Sequence, residues 1–275
     1  MRHGPAICLY SVLLAWPLLP ARPASAQFMS GSFTDPAIGE RYFIEAGAGL
    51  WAPSADIVIS SEGINIPGSE IDFRRDLGLA DKRFGELRAT LRPSRKQKLR
   101  FQYIPIKYEQ ETVVTRDLIF NGQRYRAGLP VNSLLDWAAY RFAYEYDAFY
   151  RSRGFIGFVI DLKYTDVRAE LANPVIALEF ARAAAPIPSI GGIGRYYVLP
   201  NVSVTAEITG IKIPDSISED YRAHYVDVDL YGTVNFTNHI GAQLGYRSFD
   251  VGYKIEEDTG SFVVKGLYFG LVARY

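Results

Sequence analysis

Few residues of this chain could do chemistry. Of its three histidines, His224 has the most suggestive neighbours, because Ser216, Ser218, Glu219 and Asp220 lie just ahead of it. A serine, a histidine and a carboxylate are the parts of nucleophilic acyl transfer: the imidazole takes the hydroxyl proton and the acid orients the imidazole. A polar loop contains Ser and Glu by default, so a solvated loop accounts for the same residues without catalysis. Asp227 and Asp229 follow His224 at odd offsets. Successive side chains on a strand point to opposite faces, which puts His224 across the sheet from both and argues against a shared metal or an activated water. His239 falls in a short polar turn, where a solvated imidazole is the plain reading. Gly191-Gly192-Ile193-Gly194 looks superficially like a nucleotide loop, but no helix follows to bind a phosphate, and glycines in a strand more often permit bending or close packing. Asn121-Gly122 is a hairpin-turn signal. The only cysteine is Cys8. No catalytic, cofactor-binding or metal-binding residue is assigned.

The elements that would position such residues begin after an export signal. Arg2 is followed by an apolar stretch from Ile7 to Leu19, interrupted by Pro17, and then by Ala24-Ser25-Ala26, a small-x-small pattern that signal peptidase accepts. Cleavage is expected after Ala26, so residues 1–26 are a signal peptide, Gln27 is the first mature residue and 27–275 form one domain. Cys8 leaves with the signal, and the mature chain then has no disulfide and no thiolate site. Lys plus Arg equals Asp plus Glu, 30 against 30, so no global charge draws the chain to nucleic acid. Past Gln27 no apolar run approaches the length of a spanning helix. A membrane could be crossed only by closed β-structure, which satisfies every backbone polar group internally.

Period-two alternation dominates the mature chain. Between Ala138 and Tyr150, Tyr140, Phe142, Tyr144, Tyr146 and Tyr150 share one face, while Arg141, Ala143, Glu145 and Asp147 share the other. Ile160, Leu162 and Tyr164 oppose Asp161 and Lys163; Val226, Val228 and Leu230 oppose Asp227 and Asp229; Val204, Ala206 and Ile208 oppose Thr205 and Glu207. Leu87, Ala89 and Leu91 oppose Glu86, Arg88 and Arg92, and Ile44, Ala46, Ala48 and Leu50 oppose Glu45 and Trp51. Aromatic and aliphatic faces set against charged ones suit a barrel with lipid outside and salt bridges within. Strand signals near 41–59, 70–92, 98–120, 124–150, 154–172, 187–199, 202–214, 222–237, 240–256 and 261–275 give about ten strands, with eight and twelve as the alternative counts. Short turns at 93–96, 151–153, 200–201 and 237–238 alternate with longer ones, so both termini are expected at the periplasmic end. Pro105 is read as a one-residue bulge that swaps faces: Leu99, Phe101 and Tyr103 outward before it, Ile106 and Tyr108 outward after it, and Lys107, Glu109 and Glu111 inward.

The fold class is therefore all-β, a transmembrane antiparallel up-and-down barrel. By alternation its lumen receives Glu45, Glu86, Glu145, Asp147, Asp161, Glu207, Asp227 and Asp229, against Arg88, Arg92, Arg100, Arg141, Lys163, Arg195 and Arg247. The signs nearly cancel, and a narrow barrel is nearly filled by such side chains. A selective pore would carry one sign in excess, so a closed or weakly conducting barrel is expected. Arg141 and Arg88 are the candidate partners of Glu145.

The last strand, Gly266-Leu267-Tyr268-Phe269-Gly270-Leu271-Val272-Ala273-Arg274-Tyr275, resembles the C-terminal signal of bacterial outer-membrane barrel proteins, which end in an aromatic residue. Ile71–Leu79 with Leu91-Arg92-Pro93-Ser94-Arg95 is similar to small outer-membrane barrels of no assigned activity. The resemblance implies an outer-membrane location. It also implies lipid, periplasmic chaperones and the barrel-insertion machinery as partners, the last engaging the terminal strand by β-augmentation. Outer-membrane proteases also resemble the chain in size and strand number; they use paired acids and an Asp–His pair at the external rim, which the parity of His224 and Asp227/Asp229 disfavours. The function expected is non-enzymatic, structural or binding through external loops. A narrow passive channel is the alternative, and a lipid- or peptide-cleaving barrel the third reading.

Overall fold

Alternating β-branched, aromatic and charged residues become thirteen strands in the computed structural model, which describes residues 37–60, 66, 68–173, 179–213, 221–255 and 258–275. These are β1 (Ile44–Ser60), β2 (Ile71–Asp72), β3 (Phe84–Leu91), β4 (Gln97–Val113), β5 (Leu118–Phe120), β6 (Gln123–Tyr125), β7 (Pro130–Arg151), β8 (Gly154–Ala172), β9 (Glu179–Leu199), β10 (Val202–Ile213), β11 (Tyr221–Asn235), β12 (Ile240–Ile255) and β13 (Asp258–Arg274). No helix occurs among the described residues. The signal at 1–26 and the serines and acids at 216–220 lie outside them.

Ten strands form the wall, in the order β1, β3, β4, β7, β8, β9, β10, β11, β12, β13. The circle closes where β13 pairs antiparallel with β1, from Glu45↔Arg274 to Ser60↔Thr259. At the seam the terminal Tyr275 carbonyl accepts from Phe43 N at 2.7 Å and Ile44 N at 3.0 Å. Closure removes both sheet edges, as lipid requires. β2 is a short appendage of β1, and β5–β6 is a separate hairpin turned by Asn121 (φ 49°) and Gly122 (φ 79°).

The wall has two zones. In the lower zone, nearer the termini, apolar side chains face outward: on β13 Leu267 is 60% exposed and Leu271 54%. Leu267 to Tyr275 covers eight steps of ~3.3 Å, roughly 20 Å of membrane normal at a ~40° tilt, close to the ~25 Å apolar band of such barrels. Tyr103, Tyr140 and Tyr164 lie in register across β4, β7 and β8, with ring centroids 4.7 and 6.5 Å apart, and mark the upper interface. Above that row the alternation inverts. Lys107, Glu109, Glu111 and Asp136 face outward, while Ile104, Ile106, Tyr108, Leu135 and Trp137 are buried inside.

This inversion corrects the reading of Pro105. β4 and β7 pair without a register shift from Gln97↔Tyr146 to Val113↔Pro130, so no bulge occurs and Lys107, Glu109 and Glu111 are not in the lumen. What changes at Pro105 is the solvent. The strand has left the lipid, and a β-wall in water carries charge outside and apolar residues inside. Pro105 is tolerated because the β3–β4 ladder ends at Tyr103, leaving β4 flanked on one side. Pro186 and Pro188 likewise lie within β9, not in a loop, above the last β9–β10 pair at Ile190↔Gly210. A one-residue bulge does occur elsewhere, between Tyr146 and Phe149. It turns Phe149 outward and Tyr150 inward, where Tyr150 stacks on Phe155 at 6.4 Å, contrary to its predicted outward face.

The signal at 70–92 is likewise not one strand. After β2 the Asp72 carboxylate accepts from Arg74 N and Arg75 N at 2.9 Å each, an Asx turn, and Gly78 takes φ 67°. The turn releases Phe73, Leu77 and Leu79 from alternation so that all three bury in the mouth opposite the termini.

Candidate functional site

Each of the fifteen side chains assigned to the lumen by alternation points into it, the most exposed being Arg88 at 19%. Three more join them: Lys98 and Arg274, which share the inward parity of their strands, and Glu40, which precedes β1 and carries no strand signal. Among the described residues this makes nine acids and nine bases facing the lumen, every one in an ion pair. Balance of this kind is what a charge-filled, water-poor interior needs, because an uncompensated buried ion costs several kcal/mol, on the order of 3–5.

The pairs are arranged in layers. Lowest, Glu40 meets Arg195 Nη1 at 2.8 Å and Arg92 Nη1 at 3.2 Å. In the middle, Glu145 accepts from Lys98 Nζ at 2.5 Å and Arg100 Nη1 at 3.1 Å, so its partners are not Arg141 or Arg88. Glu207 bridges Arg100 at 2.7 Å and Arg141. Higher, Lys163 Nζ donates to Asp161 at 2.9 Å and to Ser189 and Thr209 at 2.8 Å each, and Arg247 grips Asp227 through Nε at 3.1 Å and Nη2 at 2.8 Å. Arg88 pairs with Glu86 and reaches Asp229 at 3.3 Å. The lumen cavity bounded by Arg88, Arg100, Glu145 and Tyr231 measures about 40 Å³, room for about three waters.

Above the ions the interior is apolar. Trp51, Ile57, Ile104, Ile106, Leu135 and Phe249 pack from the wall. Two excursions cover them: Ile71, Phe73 and Leu77 from the β1–β3 connection, and Leu118, Phe120 and Tyr125 from the β5–β6 hairpin. The excursions are tied together at Asp76, whose Oδ1 accepts from Arg116 Nε at 3.0 Å and Oδ2 from Arg116 Nη2 at 2.6 Å, and by Ser69 N to Ile119 O at 2.8 Å. Burial pushes the Asp76 carboxyl up, but the hydrogen bonds from Arg116 and Arg75 outweigh it and hold the group well below the ordinary Asp range.

A lowered native pKa stabilises the cap above the unfolded value of about 4, and that contribution is lost as pH falls towards the native value. Asp76→Asn should loosen the cap by about 1–2 kcal/mol, discounted because Arg75 and Arg116 are largely solvated. Faster proteolysis within 68–83 and 114–129 at neutral pH, with an unchanged heat-modifiable gel shift of the barrel, is the expected readout. Equal cleavage of variant and wild type would discard the staple.

Among the described residues, those singled out for chemistry are not brought together; Ser216, Ser218, Glu219 and Asp220 lie outside them. His224 lies on the outer wall, its Nε2 3.1 Å from Asp250 Oδ1, both about half exposed. Asp227 and Asp229 face the lumen, as strand parity requires. His239 sits in the turn after β11 with Nδ1 3.1 Å from the Arg274 carbonyl. Gly191 to Gly194 belong to β9, and a Cβ at Gly191 would collide with the carbonyl of Ile208. Parity could have found Lys98 and Arg274; nothing in the pattern announces Glu40 or the cap.

No protein-family model matches the sequence, and no curated protein matches it. Solved structures do match in shape. The outer membrane protease OmpT from Escherichia coli superposes with a TM-score of 0.59 at 8% identity, covering 89% of this chain and all of that one (100%). The Pseudomonas putida toluene transporter TodX gives 0.37 at 10% identity, covering 92% and 94%. The attachment invasion locus protein Ail of Yersinia pestis gives 0.31 at 4% identity, covering 82% and 97%. At 8% identity the OmpT likeness speaks to fold alone. With an apolar band outside, an ion-filled interior and a seam closed by its last strand, the chain is a ten-stranded β-barrel of the bacterial outer-membrane type.

Proposed function

We propose that this protein is a closed, non-enzymatic outer-membrane barrel whose role is structural or lies in binding at its external end. The observation that carries this reading is the double obstruction of the lumen: a charge-balanced ionic plug with a cavity of only about 40 Å³, beneath an apolar plug capped by two stapled excursions. Passage of a solute would require breaking several buried ion pairs at once, each worth a few kcal/mol. The external end offers a different surface. There the wall stands clear of lipid and presents Lys107, Glu109, Glu111, Asp136, Arg168 and Glu170 beside a groove of about 360 Å³.

Planar-bilayer recording of the refolded protein tests the reading. The expected trace shows insertion with no unitary openings above leak at neutral pH. Reproducible stepwise conductance in the wild type would replace this proposal with a passive channel.

A further inference from the structure

At the periplasmic end, the segment ahead of β1 joins the wall only at Phe43, whose N donates to Tyr275 O and whose O accepts from Arg92 N, both at 2.7 Å. It runs beneath the mouth and is held by isolated polar contacts: Ile38 N to Pro200 O at 2.7 Å, Asn235 Nδ2 to Ile38 O at 2.7 Å, and Gly39 N to Asn238 Oδ1 at 3.2 Å. Those partners sit in or beside the β9–β10 turn, across the mouth from β1, and the β11–β12 turn, nearer to it around the wall. Gly39 takes φ 85°, which turns the chain so that Glu40 rises into the lumen. There the carboxylate accepts from Arg195 Nη1 at 2.8 Å and Tyr197 OH at 2.8 Å through Oε1, and from Arg92 Nη1 at 3.2 Å through Oε2, and the residue is only 9% exposed. All three donors belong to the barrel wall or its turn. Among the described residues the wall supplies eight acids and nine bases to the lumen; Glu40 is the ninth acid.

From this we infer that the periplasmic mouth carries a carboxylate-binding cradle, made by Arg92, Arg195 and Tyr197 and filled in cis by Glu40. The segment at 37–43 is then a tethered plug. Two guanidinium groups and a phenol converging on one carboxylate form a charge-assisted donor set for that group. Arg92 Nη1 also donates to the Glu40 main-chain carbonyl, so recognition of a free carboxylate rests chiefly on Arg195 and Tyr197. Tethering gives Glu40 an effective concentration in the millimolar range or above, so a free carboxylate competes poorly in the intact protein. Remove the Glu40 side chain and the cradle should take a carboxylate from solution. The ligand class is a small carboxylate, or a carboxylate on a flexible chain end, arriving from the periplasmic side.

Chemical rescue provides the test. Glu40→Ala protein, refolded in detergent, is heated in increasing sodium formate, with sodium chloride at equal ionic strength as the control, and unfolding is followed by the gel shift. The expected result is a lower Tm for the variant that rises with formate in a saturable way and not with chloride, no such rise in wild type, and none in Glu40→Ala/Arg195→Gln. If Glu40→Ala does not refold, Glu40→Ser, which also empties the cradle but keeps a small polar group, is assayed the same way and should show the same formate-specific rise. Equal responses to formate and chloride, a response that survives loss of Arg195, or no response in the variant that folds would each overturn the cradle.

Discussion

Glu207→Gln should destabilise the barrel by about 3–5 kcal/mol, because it removes one partner from a buried ionic hub and leaves Arg100 and Arg141 only Glu145 and Asp161, acids already shared with Lys98 and Lys163. Glu207 is 4% exposed and joins Arg100 on β4 to Arg141 on β7 from the opposite wall strand β10. Neutralising it leaves nine lumen cations facing eight acids. The paired variant Glu207→Gln/Arg100→Gln restores the balance and should cost less than the sum of its singles, since residues in one network couple by about 0.5–3 kcal/mol. Reversible urea unfolding in a single lipid system measures all three. A Glu207→Gln cost within about 0.5 kcal/mol of zero would mean that water already screens this layer, and the ionic plug would be lost with it.

Tyr144→Arg should cost about 2–4 kcal/mol, the penalty for a charge facing lipid near the midplane of a barrel. Tyr144 lies midway between Tyr140, at the upper aromatic row, and the outward Phe149, and it faces out at 36% exposure. The control lies on the same face of the same strand. Asp136 is also outward but above the aromatic row, with charged neighbours on β4. Asp136→Arg should cost no more than about 1 kcal/mol, the water-screened repulsion from Lys107 and Arg168 directly opposite it. Both residues share parity, strand and direction, so only the surrounding solvent differs. Similar costs at the two positions would place the membrane boundary elsewhere and remove the explanation given for the inverted alternation above Tyr103, Tyr140 and Tyr164.

Much of this was legible from alternation. A strand has a side-chain period of two, so parity alone sorts Arg141 from Phe142 and Asp161 from Ile160, and it sorts them wherever the register is unbroken. It also separates His224 from Asp227 and Asp229, which lie on the outer wall and in the lumen respectively. Parity fails in two ways. At Tyr146–Phe149 a bulge changes the count, and Tyr150 goes in where it was expected out. At Pro105 the count is unbroken but apolar no longer means outward, because the strand has passed from lipid to water. A reader of the pattern sees the same swap in both cases and cannot tell a shift of register from a change of solvent.

The sequence by itself determined the all-β class, a wall of about ten strands with eight and twelve still open, the aromatic closing strand and the identity of fifteen lumen charges, because each follows from local period and composition; the closed circle fixed the count at ten. Only the tertiary structure decided which charges meet, since partners such as Glu207 and Arg100 lie on strands that face each other across the lumen and share no ladder. It alone decided that the β1–β3 and β5–β6 excursions fold over the external mouth. It alone placed Glu40 beneath the other mouth, held by turns about two hundred residues away in the chain. Those contacts depend on the diameter and closure of the barrel, and a one-dimensional pattern carries neither.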